Sequence, residues 1–142
     1  YHYIFIDCPP SLGLLTVNAL VVAHEVMVPI QCEYYALEGV TQLNSLIHQV
    51  NQALNPSLTV STVLLTMFDA RTNLSQDVAA VVRESFGERV LSTMIPRTVR
   101  VAEAPSHRQT VITYDPTSLG AIAYLEAAYE FGLRNTQPAE AH

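Results

Sequence analysis

The sequence has no lysine; all seven of its basic residues are arginine. A Walker A phosphate loop needs a Lys to reach the β- and γ-phosphates, so these 142 residues contain no such loop. Tryptophan is absent as well, which excludes nothing. Charge is sparse, at 14% of residues against 49% apolar. That is too little charge for a disordered or solvating chain, and enough apolar material for the core of one domain. Five glycines and eight prolines are too few for a fibrous or low-complexity protein. The two cysteines, Cys8 and Cys32, form no CxxC and have no His at zinc spacing, so buried thiols are expected rather than a disulfide or a metal. No run reaches the roughly 18 apolar residues of a membrane span. The first residue is Tyr, opening directly into an apolar run, and the chain is expected to be part of a longer one.

What charge there is lies unevenly. Residues 1–70 carry five acids and no Lys or Arg, whereas residues 71–108 carry six Arg against four acids. Residues 109–142 return to one Arg against four acids, and the whole chain stands at −6. Any anion-binding face is thereby confined to the middle stretch.

Short apolar runs alternate with longer stretches of helical period. Tyr3–Ile6, Val26–Ile30, Val60–Leu65 and a weaker run over Val90–Ile95 read as strands. Apolar residues at Leu37, Val40, Leu43, Leu46, Ile47, Val50 and Leu54 predict one helix, and Leu74, Val78, Val81, Val82 and Phe86 another. Asn73 and Gln76 are spaced as a capping box for the latter. Asp115-Pro116 breaks the chain, and Ser118 caps a last helix along Ile122, Leu125, Tyr129 and Leu133. Continuous apolar strands alternating with helices predict an α/β fold: a mostly parallel sheet with helices on both faces. Residues 1–134 read as one unit, and residues 135–142 as a disordered tail.

In such a sheet, ligands bind beyond the carboxyl ends of the strands. The four loops there are Asp7–Gly13, Gln31–Tyr35, Met67–Thr72 and Pro96–Arg100, and they are expected to share one rim. Four apolar residues ending in Asp7 make a Walker B pattern, whose carboxylate can hold Mg²⁺ through water. The same pattern also arises when an Asp caps the next helix. Pro9-Pro10 stiffens the loop and Gly13 releases it, as expected of a segment that responds to a γ-phosphate.

The blocks YIFIDCPPSLG (residues 3–13), QCEYYALEG (31–39), LTMFDARTN (65–73) and IPRTVRVAEAPSH (95–107) resemble the ParA/Soj family of chromosome and plasmid partitioning ATPases, in the same order and at compatible spacing up to about Arg134. The resemblance implies the C-terminal part of a P-loop NTPase fold of the deviant Walker class. It also implies a parent protein that binds ATP-Mg²⁺, forms a homodimer, binds DNA without sequence preference and answers to a ParB-type partner. Its place would be cytoplasmic and nucleoid-associated. In the family the phosphate loop and first switch lie upstream of these blocks, so this chain alone is expected to be inactive. By the same resemblance Asp7 is the Walker B acid, with no direct metal ligand. Pro9, Pro10, Ser11 and Gly13 belong to the second switch. Met67, Pro96 and Arg97 lie around the adenine, and Arg71 and Arg100 contact DNA. Arginine suits that role, because its planar fork holds phosphate oxygens bidentately without reading sequence.

Three positions depart from the family pattern. Thr98 stands where the family has Asn, Arg108-Gln109 where it has Gly-Lys, and Thr117 where it has a basic residue. His107 reads as a loop histidine. Two other functions are open: a membrane-associated relative of the MinD type, and a non-enzymatic piece that only binds partners. The first calls for a basic amphipathic end, whereas the final segment carries Glu126, Glu130 and Glu140 against Arg134.

Overall fold

Val26–Ile30 and Val60–Leu65 are too short and too uniformly apolar for surface helices, and both are extended. The computed structural model describes residues 1–9 and 13–136. In it β1 (Glu25–Gln31) pairs in parallel with β2 (Thr59–Thr66). Val26 lies opposite Val60 but Met27 lies opposite Thr62, so Ser61 is one residue extra. Beyond that bulge, Val63 and Leu65 turn to the same side as Val28 and Ile30. Pro29, which cannot donate to a ladder, sits in a strand that is paired along one edge among the described residues.

Helices cover both faces. On one, α2 (Ala36–Ala53) and α3 (Asn73–Phe86) close over Val28, Ile30, Val63 and Leu65 with Val40, Val78, Val82 and Phe86. On the other, α6 (Leu119–Thr136) lays Ala123 and Ala127 against Leu64, Leu91 and Ile95. Its small residues let the helix lie close to the sheet. Two short helices, α4 (Val99–Glu103) and α5 (Val111–Tyr114), precede it. A further helix, α1 (Leu14–Val22), buries Leu20 against Ile47, Val50 and Leu58. The Asn55 amide donates to the carbonyls of Leu20, Val21 and Ala23 at 2.8–3.1 Å and so closes its end.

The expected α/β architecture is present, with four local differences. Tyr3–Ile6 is exposed and unpaired, not a strand; a strand requires a neighbour for its N–H and C=O groups, and none lies beside it among the described residues. Instead Tyr3 and Phe5 rest their rings on Phe131 of α6, at 5.6 and 6.1 Å. Val90–Ile95 forms no strand: isolated parallel bridges join Val90 to Val63 and, just past its end, Pro96 to Phe68. Leu91 and Ile95 donate to the carbonyls of Val63 and Leu65, but Ser92 and Thr93 turn their N–H groups to the Glu130 carboxylate. The cap of α3 is Thr72, whose hydroxyl accepts from Ser75 N, rather than Asn73. Asn135 and Thr136 continue α6, and the rest of the expected tail lies outside the described residues.

Where α6 begins, it touches α4. A Cβ added at Gly120 would sit 2.5 Å from Val101 Cγ2 and 3.1 Å from Thr98 Oγ1. Gly120→Ala should therefore destabilise the chain by about 1–2 kcal/mol, overpacking outweighing the better helix propensity of alanine. A urea midpoint equal to or above that of the parent would refute this close approach.

Candidate functional site

Three of the four predicted loops meet at the carboxyl ends of the strands. Leaving β1, Cys32 N donates to Thr66 O at 2.9 Å, and the Cys32 thiol is buried in the core with Ile30 and Leu65. Burial pushes that thiol above its usual range, with the Arg83 charge pulling weakly the other way. Leaving β2, Met67 takes a positive φ of 53°, a left-handed turn that a residue with a side chain seldom adopts. The turn lets Phe68 N reach Ile95 O at 3.0 Å, and Arg97 N then returns to Phe68 O at 2.9 Å. Met67 and Pro96, both half-buried, are thus drawn to one rim. Ser75, buried at the start of α3, ties the loops together: its hydroxyl donates to Cys32 O at 3.1 Å and accepts from Asp69 N at 3.4 Å.

Four charged residues stand on this rim. The Arg97 guanidinium pairs with Glu33 and so clasps the loop after β1 to the segment after Ile95. Arg71 donates from Nε and Nη2 to the two oxygens of Asp69, at 2.9 and 2.8 Å. Its side-chain bonds, ahead of its backbone N–H, hold the Asp69 carboxyl down to about 2. An unfolded Asp titrates near 4. The pair therefore contributes fully above that pH and is lost as pH falls toward 2. Beside Glu33, the exposed rings of Tyr34 and Tyr35 meet edge to face at 5.3 Å.

Arg100 stands on α4. Thr98 caps this helix, its hydroxyl accepting from Val101 N at 3.3 Å. Threonine thus fills an N-cap role that asparagine also suits. Nη1 of Arg100 reaches Glu103 and Nε reaches Asp115, both at 3.3 Å, and the guanidinium lies 6.0 Å from the centre of the Tyr114 ring. Glu103, then Tyr114 and Asp115, raise its pKa. His107 stacks on Tyr114 at 4.8 Å and, expected in a loop, instead ends the short 3-10 helix Ala104–His107.

Of the fourth loop, only part lies among the described residues. Asp7 and Pro9 are exposed, and no hydrogen bond or ion pair joins them to Glu33, Asp69 or Arg97 among the described residues. Gly13 forms the N-cap of α1. Pro10 and Ser11 lie outside the described residues. Among the described residues no group of three or more His, Cys, Asp or Glu is placed to hold a metal. A lone, exposed Asp7 suits magnesium held through water, but these residues supply neither a metal cage nor a lysine for phosphate.

Sequence reasoning did not pick out Glu33, Asp69, Ser75 or Asp115. A signal existed for Asp69: an Asp two residues before an Arg commonly folds back on the intervening backbone. Asp115 offered none, because its pairing with Arg100 depends on how α5 turns back on α4.

The chain is similar to known proteins over nearly its whole length. The sporulation initiation inhibitor protein Soj of Bacillus subtilis is 55% identical over 130 residues, which is 92% of this chain and 51% of that protein. The chromosome partitioning protein ParA of Myxococcus xanthus is 50% identical over 136 residues, 96% of this chain and 48% of that one. The chain is a Soj/ParA homologue. This homologue spans about half the length of the relatives it matches. The family described as AAA domain matches residues 1–60. Among solved structures, cobyrinic acid a,c-diamide synthase from Mycobacterium smegmatis with bound ATP analog and magnesium is 39% identical with a TM-score of 0.68, covering 93% of this chain and 47% of that one. The Pyrococcus furiosus cell division ATPase MinD, at 21% identity and a TM-score of 0.70 over 90% of this chain and 50% of that one, shares the fold. The fold is therefore α/β of the P-loop NTPase class.

Proposed function

We propose that this Soj/ParA homologue is the second half of a chromosome or plasmid partitioning ATPase. The complete protein binds ATP-Mg²⁺, dimerises, binds DNA without sequence preference and is stimulated by a ParB-type partner, in the cytoplasm and on the nucleoid. Residues 1–134 are then the C-terminal part of a single domain. The observation that carries this reading is the rim itself, where the loops after β1, β2 and Ile95 are drawn together by Ser75, Arg97 and the Phe68–Pro96 bridge.

On that rim Met67, Pro96 and Arg97 would line the adenine, and Arg71 and Arg100 would hold DNA phosphates. Asp7 would hold the magnesium through water, with Pro9 to Gly13 responding to the phosphate beside it. Magnesium would offset the phosphate charge; this chain supplies positioning groups and no lysine to grip the transferred phosphoryl group. A membrane-bound role has little support. No helix of the described residues is long and apolar enough to cross a membrane. Arg134, the one basic residue after Arg108, is occupied by Glu130 and by the carbonyls of Glu88 and Val90 at 2.6–3.1 Å.

The 142-residue chain by itself should show no ATP turnover above background, because it has no lysine. The full-length protein should hydrolyse ATP, faster with DNA and partner, and Asp7→Ala should reduce that rate by at least about a hundredfold. A full-length protein that binds partner but never turns over ATP would instead establish the non-enzymatic alternative. Full activity in Asp7→Ala would remove Asp7 from the site.

A further inference from the structure

Asp69 holds Arg71 in the shape in which an arginine holds a phosphate. Nε donates to Oδ1 at 2.9 Å and Nη2 to Oδ2 at 2.8 Å. These are two roughly parallel N–H···O bonds, the fork-on-fork match that two phosphate oxygens also make. The Arg71 side chain is 88% exposed and that of Asp69 only 18%. A ligand thus meets the guanidinium from outside, while the carboxylate is fixed from within. The fixing groups are Arg71 N, which donates to Oδ1 at 3.0 Å, and Ser75 Oγ, which accepts from Asp69 N. Arg97 adds a favourable charge nearby. Arg100 differs: its two carboxylates stand at 3.3 Å on separate nitrogens, and neither takes two of its donors.

We propose that Asp69 is a built-in competitor for Arg71: it occupies the bidentate face of the guanidinium as a phosphate surrogate, and a DNA phosphate engages Arg71 only by displacing it. The inference rests on the reading of Arg71 as a DNA contact. A displaced carboxylate also remains close by and repels the incoming phosphate. Asp69 therefore holds the affinity of this contact down and speeds its release, whereas no single carboxylate takes two donors of Arg100.

The test is a double-mutant cycle in the full-length protein with ATP, measuring binding to a random-sequence duplex by fluorescence anisotropy across a salt series. Asp69→Asn keeps an oxygen for Arg71 N and removes the charge. It should tighten DNA binding about two- to fivefold, the size expected of an exposed ion pair, and this gain should vanish in the Arg71→Ala background. If Arg71→Ala weakens binding but Asp69→Asn does not tighten it, the competitor role is wrong and the DNA contact stands. If Arg71→Ala has no effect, the reading of Arg71 falls and the proposal with it. A gain that persists without Arg71 would also overturn the proposal, since Asp69 would then act only through the general field. Should Asp69→Asn fail to fold, Asp69→Ser, which also presents a short acceptor, decides the cycle on the same outcomes.

Discussion

In the full-length protein with ATP, Arg100→Ala and Arg71→Ala should each weaken binding to duplexes of any sequence by about tenfold and lower the salt slope by about one unit. Both side chains are more than half exposed, at 54% and 88%, so each can present donors to a phosphate. Both lie in residues 71–108, where arginines outnumber acids. A guanidinium on a phosphate acts through counterion release, which is why the slope and not only the affinity should change. Sequence preference should stay constant, because a phosphate contact carries no base information. ATP affinity and thermal stability, measured on the same two variants, separate the alternatives. If ATP binding collapses while DNA affinity and its salt slope hold, these arginines serve the nucleotide and the assignment is wrong.

The second large effect concerns the floor beneath the rim. Leu65 is fully buried, at 0% exposure, in the cluster of Val28, Ile30, Val82 and Phe86. Leu65→Ala should cost about 2–5 kcal/mol, the transfer of the lost methyl groups plus the cavity they leave. Single domains hold about 5–15 kcal/mol in all, so the loss is a large share. Urea denaturation should show a lower midpoint with an unchanged slope. A loss below about 1 kcal/mol would mean that α3 settles onto the vacated space, and that the sheet-to-helix contact is looser than its burial indicates.

Much of the architecture was legible because its signals are local. The seven-residue β1 and the eighteen-residue α2 follow directly from an apolar run and from a clean 3.6 period. Ser118 caps α6 as expected, its hydroxyl accepting from Ala121 N. The illegible parts depend on partners distant in sequence. Val90–Ile95 has strand composition, yet Glu130, some forty positions later, takes two of its N–H groups. Burial raises the Glu130 pKa, but those donors and Arg134 outweigh it and leave the carboxyl below its ordinary range. Tyr3–Ile6 reads as a strand from its own residues and lacks a neighbour to make it one. Nor did α1 declare itself: LLTVNALVV is apolar nearly all round and shows no stripe. At the site, Arg71 and Arg97 lie on loops as expected, but Arg100 stands on the short helix α4, and apart from Glu103 on that helix the acids that hold them are set by the way the chain folds back.

The extra residue at Ser61 has a consequence for the rim that no contact made by Ser61 reveals. Side chains along a strand alternate sides, so an extra residue that entered the ladder would exchange the two sides for every later residue, whereas a bulge takes it up locally and keeps the pairing in phase. With Ser61 present, Val63 and Leu65 face α3 and Leu64 faces α6. Were Ser61 instead to enter the ladder opposite Met27, Leu64 would lie opposite Ile30 and turn to α3, and the loop from Met67 to Thr72 would leave the sheet on the opposite side. Arg71 would then emerge away from Glu33 and Arg97. The side on which the rim forms is thus decided by a bulge ten positions upstream of Arg71, and an inserted residue that is not taken up there should be far less tolerated than a change of side chain.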